Sequence, residues 1–485
     1  MLIADQDWGV PPIAFADAML DPSGRLKIAR GQNVYDVDFE YGMQPLRWEN
    51  FTAGTATIAH QPQAGGVLMR VAANGDLAMR QSKPYFRYQP SKGIYASAAV
   101  LFGAPTANVI RRVGMFDSDN GVFFEQDSTG LWAVRRANTG NGVVDTRIAQ
   151  ADWTLDRLNG TGRSGRALDF SRIQMAVMDY AWYGAGRARL GFIVAGKLLW
   201  CHAFDSANVA GQILPWSRTG NLPCRYEIRR TGTPNTNADF WHWGVSVVVE
   251  GGFDEQRGFT FPHANATRVA VTTRRPILSS RLRSMAVIDE GNTATAGAVG
   301  SLTRTGAGWT NNQFRGRYLL LTGGTGAGQM ARIVSNTATV LTCDNPLTLS
   351  ASPFGTAPAA GTTYQIGVAN RGQLVPQQLI ISSDAGGFFE LVLNGTPATP
   401  SWTDLGGASL SQQDTAAATI TGGQVVFSCY TPAGGQGVQA FDLRQIQALG
   451  TSILGNTPDT LSLVATSFTG TANVAASILY TEAMS

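Results

Sequence analysis

Tyr35-Asp36-Val37-Asp38-Phe39-Glu40-Tyr41 alternates aromatic or aliphatic residues with acids and has no break. Side chains on a strand point to opposite faces with period two, so this is the signature of a half-buried β-strand with Val37 and Phe39 inward. Outward from it, the same chemistry recurs. The apolar run Ile94-Tyr-Ala-Ser-Ala-Ala-Val-Leu-Phe102 has the length of a buried strand. Further strands are predicted over 121–125, 131–136, 173–180, 188–194, 198–204, 225–230 and 244–250, with turn residues between them. No stretch beyond about a dozen residues has the 3.6-residue period of a strong amphipathic helix. The chain is therefore expected to be all-β.

The 485 residues imply two to four domains. Residues 1–50 read as an extended arm, expected to anchor the chain to a neighbour: Pro11-Pro12 disfavours helix and Asp21-Pro22-Ser23-Gly24 is a turn. Residues 51–273 read as a large β-sandwich of jelly-roll or lectin-like type, with nine of the eleven tryptophans before residue 244 supplying a bulky core. Residues 290–368 are dominated by Gly, Thr, Ala and Asn and read as a small β-barrel-like module. The flanking segments 275–279 and 379–382 both resemble strands of the next domain, so the module is expected to be an insertion. Residues 274–289 and 369–485 then form a C-terminal β-sandwich.

Charge is sparse and uneven. Charged residues make up 15% of the chain and net charge is +3. Residues 371–485 carry Arg371 and Arg444 against seven carboxylates, a net of −5. A balance this dilute is no nucleic-acid-binding stripe. No apolar run approaches the length of a membrane span, and the N-terminus lacks the basic and apolar regions of a secretory signal. Cys201, Cys224, Cys343 and Cys429 have no CxxC spacing and read as buried thiols of a protein made in reducing cytoplasm.

Few groupings carry chemistry. Asp36, Asp38 and Glu40 share one strand face, a pattern that fits an exposed acidic face, a cation site or, by analogy, the paired carboxylates of a glycosidase. Gly323-Gly-Thr-Gly-Ala-Gly-Gln329 lacks the Lys and Ser/Thr of a phosphate loop and reads as a hairpin loop. Ser164, in Gly162-Arg-Ser-Gly165, lacks nucleophile-elbow spacing. His202 and His242 have no partner implied by spacing. Trp182, Tyr183, Trp241 and Trp243 could stack on a sugar ring, but core or interface packing is the favoured reading. No catalytic residue, cofactor or metal is expected, and a chain so poor in catalytic residue types reads as an architectural part and not an enzyme.

The ordered set Tyr35–Trp48, Tyr85–Pro90, Asn159–Gly165, Trp182–Phe192, Asn221–Glu227, Ala418–Gln424 and Ala475–Glu482 resembles a family of tailed-bacteriophage virion structural proteins. Gly326–Gln329 and Ser335–Thr337 resemble small β-modules of phage fibre and baseplate proteins. The resemblance implies a virion component made in the host cytoplasm, in the tail, baseplate or fibre, and transfers no catalytic residue. Its expected partners are copies of itself, with a trimer favoured, and other virion proteins. Alternative roles are a lectin for host surface glycans, a head decoration or head-fibre protein, and a tailspike-like depolymerase.

Overall fold

In the computed structural model of the chain, the described residues are 2–3, 13–14, 20–22, 24, 27, 30–140, 142–233, 236–251, 258–289, 291–432 and 438–483. Among them the regular structure is antiparallel β, with two short 3₁₀ turns. No helix among the described residues is long and apolar enough to cross a membrane. The chain divides into two compact units, one of residues 1–254 with 346–349 and one of residues 255–345 with 350–484.

The first unit is a sandwich of two sheets. One runs Gly142–Ala149, Gly130–Gly140, Gly121–Asp127, Val109–Phe116, Cys224–Arg230, Leu77–Ser82, Trp48–Ala53. The other runs Lys197–Phe204, Ala188–Val194, Gln174–Tyr180, Ile94–Leu101, Ala238–Val249, Gly66–Val71, Thr57–Gln61, with Gln32–Val37 also paired to Ala238–Val249. Aromatic side chains from the two inner faces interdigitate. Phe124 stacks on Phe192 at 4.4 Å between centroids, and Tyr226 stacks on His242 at 4.0 Å. Burial of such rings is the main favourable term holding the sheets together.

On the central strands of the seven-stranded sheet the outer face is also buried, and the charges there are paired. Arg112 lies between Glu125 (2.6 Å) and Glu227 (2.7 Å) on the two neighbouring strands. Arg147 bridges Glu125 and Asp127. Burial alone would raise the Glu227 carboxyl, but Arg229, Arg112 and Arg225 hold it down at about 2. A buried carboxylate persists only when it is paired in this way.

The arm read from the sequence is partly built into this sandwich. Tyr35, Val37, Phe39 and Trp48 are core residues, and the strand at 35–41 is observed as Gln32–Val37. Pro11-Pro12 lies outside the described residues. The turn at Asp21 is present: the Gly24 N–H donates to the Asp21 carbonyl at 2.9 Å, with Gly24 at φ +79°.

The second unit holds a smaller sandwich and the module. One sheet runs Phe259–Ala264, Ala472–Ala483, Gln373–Ser383, Val438–Asp442, with Val269–Val271 also on Ala472–Ala483. The strands at 259–271, counted with the large sandwich in the sequence reading, thus pair with the last strand of the chain. The other sheet runs Thr403–Asp404, Ser411–Asp414, Arg275–Leu282, Thr460–Ser467, Gly387–Leu393, Gln424–Thr431. The module is a seven-stranded sheet from Met285–Asp289 to Thr363–Ala369 with a core of its own, including Leu319, Leu321, Ile333, Leu341, Trp309 and Phe314. The strands that precede and follow it belong to opposite sheets of the small sandwich.

Candidate functional site

Strand alternation decides where the acidic stretch points. Val37 and Phe39 are buried, which leaves Asp36, Asp38 and Glu40 exposed on the outer face of the eight-stranded sheet. Register does the rest. Asp36 pairs with Ser246, and Ser246 pairs with Ser97 on the far side of the same strand, so three polar side chains meet across three strands. With Asp38, Arg47 and Met175 they line a groove of about 540 Å3. Arg47 is fixed at its edge: the guanidinium donates to the Asp36 carbonyl at 2.8 Å and sits 4.6 Å over the Tyr35 ring. Glu40 does not line the groove, and its backbone N–H donates to Asp38 Oδ1 at 3.2 Å.

Trp241 and Trp243 occupy outward positions on the same strand, immediately before the groove residue Gly244. Period-two alternation puts both rings on one face, and the bulge between His242 and Val245 brings Ser246 to that same face. Their planes lie within 14° and their centroids 6.1 Å apart. The Trp243 indole N–H donates to the Ala64 carbonyl at 2.9 Å, and its ring lies so close over Gly66 that a Cβ there would come within 2.6 Å of it. Glycine at 66 is what allows this ring to lie down.

Trp182 and Tyr183 belong to another cluster. Trp182 donates to the Ser217 carbonyl at 2.8 Å, and both rings pack edge-on to Tyr88. The structure therefore brings together Asp36, Asp38, Trp241 and Trp243, and leaves Glu40, Trp182 and Tyr183 outside. Arg47, Ser97, Met175 and Ser246 were not legible as site residues, because only strand register brings them to the groove.

The other candidates resolve into packing. Among the described residues no three His, Cys, Asp or Glu side chains converge as metal ligands. The glycine-rich loop joins Tyr318–Gly323 to Met330–Asn336 as a hairpin, with the Gln329 amide donating to the Gly326 and Thr356 carbonyls. Asp156 organises the loop at Ser164, whose N–H it accepts at 2.7 Å. All four cysteines are free and buried, and burial pushes the Cys429 thiol up to about 11. His202 packs edge-on to Phe204, and burial lowers its imidazole to about 4.

One cluster gave no sequence signal. In the small sandwich His263 Nε2 lies 3.0 Å from Ser411 Oγ, and the Ser409 and Ser411 hydroxyls both donate to Glu482. The types are those of a hydrolytic triad, but the acid contacts the serines and not the histidine, and all four residues are buried away from substrate. They bond to one another as an internal polar network, apart from His263 Nδ1, which is buried without a hydrogen-bond partner.

The small sandwich also presents two adjacent edge strands. Gln424–Thr431 ends one sheet and Val438–Asp442 ends the other, with Phe427 and Phe441 in contact at 5.6 Å between them. Val425 is 41% exposed, Tyr430 66% and Val438 68%. Gln424–Thr431 contains no charged residue and no proline.

No family model and no curated protein sequence matches the chain. Solved structures match in part. A glycosyl hydrolase family 16 protein from Mycobacterium smegmatis is 12% identical, covering 44% of this chain and 100% of its own, with TM-score 0.31. A β-1,3-glucanase from Mycobacterium marinum is 13% identical, covering 45% and 99%, with TM-score 0.30. The carbohydrate recognition domain of Emp47p is 11% identical, covering 46% and 98%, with TM-score 0.29. At such identity the likeness extends to the β-sandwich fold alone. The expectation that the chain is not an enzyme is corrected on this finding, because the matched folds include glycosyl hydrolases.

Proposed function

We propose that this protein is a structural component of a tailed-phage virion, in the tail, baseplate or fibre assembly, and that it associates with copies of itself through the small sandwich. The observation that carries the reading is the uncharged edge strand Gln424–Thr431, beside a second edge strand whose only charge is Asp442 at its end, on an electrically neutral body. An edge strand offers free N–H and C=O groups, and proteins that stay monomeric blunt such edges with lysine, proline or a covering loop. Gln424–Thr431 has no such residue.

Neutrality follows from the strand pairing. Arg275 and Arg281 on the strand Arg275–Leu282, with Arg268, Arg274 and Arg283 beside the sandwich's first strands, offset the net −5 of residues 371–485. A neutral body meets no charge repulsion from its own copy. Closed symmetric assembly is the default for such contacts, and a trimer suits a fibre. The resemblance in the ordered motifs from Tyr35 to Glu482 supplies the virion context.

The test is made on particles. Antibodies against the purified chain should label one position on tailed-phage particles in negative stain, and sedimentation of the full chain should give a discrete oligomer. Particles that carry none of the chain would reject the virion role.

A further inference from the structure

We propose that the outer face of the eight-stranded sheet binds an uncharged pyranose glycan, with Trp241 and Trp243 holding the sugar ring and the Asp36 groove its hydroxyls. The two halves of such a site are contiguous here. Trp243 is followed directly by Gly244, a groove residue, and Ser246 is the next outward position on that strand. Trp241 pairs with Leu101, and Ser97 lies further along that same neighbouring strand.

The ligand class follows from the chemistry. A pyranose has an apolar C–H face and an equatorial rim of hydroxyls. An indole face, with its negative quadrupole, attracts the polarised C–H groups. Both rings are half-buried and one is pinned through its N–H, so little freedom is lost when a sugar docks. The Asp36 and Asp38 carboxylates accept hydrogen bonds from vicinal hydroxyls, and Ser97 and Ser246 both donate and accept. The two carboxylates outnumber the Arg47 guanidinium, which is tied to the Asp36 carbonyl at the groove's edge, so the groove disfavours uronic or sialic acids and its specificity lies with neutral sugars.

The carboxylates alone would make an exposed acidic face. The aromatic pair alone would be surface packing. Their adjacency, produced by the bulge at Trp243-Gly244 and the register of Asp36 on Ser246, is what makes a site.

The full chain should be applied to a glycan array carrying neutral hexose oligosaccharides beside uronic-acid and sialylated ones. Binding should fall on neutral glycans. For the best of them, titration followed by tryptophan fluorescence should show saturation. Trp243→Ala should weaken binding about tenfold or more, and Trp243→Phe less. Asp36→Asn and Ser246→Ala are surface changes that should leave the melting temperature in place while weakening binding severalfold. No signal on any neutral glycan overturns the proposal. So does binding that Asp36→Asn and Trp243→Ala both leave unchanged, or a preference for the acidic glycans. The reading is made on purified protein, so its failure is distinct from failure of the virion role.

Discussion

Arg80 is a cation with no exposed surface, and its surroundings show how this chain tolerates charge inside. The guanidinium donates to Asn50 Oδ1 at 2.9 Å and to the Met43 carbonyl, lies 3.2 Å from His242 Nε2, and sits over Phe39 and Trp48. Burial lowers it only to about 10, so it stays charged, and the facing His242 nitrogen must accept. Replacing His242 with Phe keeps the stack on Tyr226 but removes that acceptor. Denaturant titration should show a loss of about 1–3 kcal/mol, the usual cost of a buried donor left unpaired. Burial, with Arg80 beside it, also holds the His242 imidazole well below its usual range, and burial lowers His263 to about 3. Unfolded histidines take up protons below about pH 6.5. Between there and about pH 3 the unfolded chain binds more protons than the native one. Stability should therefore fall as pH drops through that window, by at most about 1.4 kcal/mol per pH unit for each such group. His263→Gln should flatten the slope between pH 6 and 4 by one group's share. An unchanged slope would mean that His263 titrates normally. None of this was visible in the sequence, where Arg80 stands in Leu-Ala-Met-Arg-Gln-Ser and His242 between two tryptophans.

Strands were legible where only one face is buried or the run is wholly apolar. Ala188–Val194 and the cores of Ile94–Leu101 and Thr460–Ser467 fall where alternation and apolar runs put them. Strands with charged residues on a buried outer face were missed. Val109–Phe116 carries Arg112, which pairs on that face with Glu227 of Cys224–Arg230, and Leu77–Ser82 is buried at every position although it holds Gln81 on the outer face and Arg80 on the inner one. A hydrophobic pattern cannot reveal a face closed by ion pairs, since the pairing partners lie far away in the sequence. Half of Ala238–Val249 was missed for a related reason, because the bulge breaks its alternation. Phe259–Ala264 contains Pro262, which argues against a strand but is tolerated because this strand lies at a sheet edge. The other edge makes a prediction at this scale. Lysine at Val425 and Val438 adds charge to exposed positions on both free edge strands without entering the core. The double variant should sediment as a smaller species than the parent, with an unchanged melting temperature. If the parent oligomer persists, the contact between copies lies elsewhere.

At the scale of the whole molecule, the way the module joins its host decides what can be removed. Its first and last strands pair with each other, Met285 opposite Ala369. Just outside that pair the Asn370 N–H donates to the Ser284 carbonyl at 2.9 Å, and the Asn370 amide donates to the Arg283 carbonyl at 2.9 Å. The host chain thus leaves and re-enters at one point, as at the sites where domain insertion is tolerated. The composition shift at 290–368 signalled a separate body, but the closeness of its ends needed coordinates. An apolar patch joins the module to the small sandwich, Met285, Tyr318, Met330 and Ala369 packing together with Leu454 against them, and the Asn456 amide donates to the Gly328 carbonyl beside it. Replacing residues 285–369 with a two-residue Asn-Gly turn should leave a folded chain, because that turn suits an antiparallel pair held by the existing Ser284–Asn370 contact. Uncovering Leu454 should cost about 1–2 kcal/mol, partly offset by closure of a far shorter loop. Calorimetry of the excised chain should show the small sandwich melting cooperatively, within several degrees of its transition in the full chain. Loss of that transition would mean that the sandwich draws its stability from the module, and that host and insert fold as one.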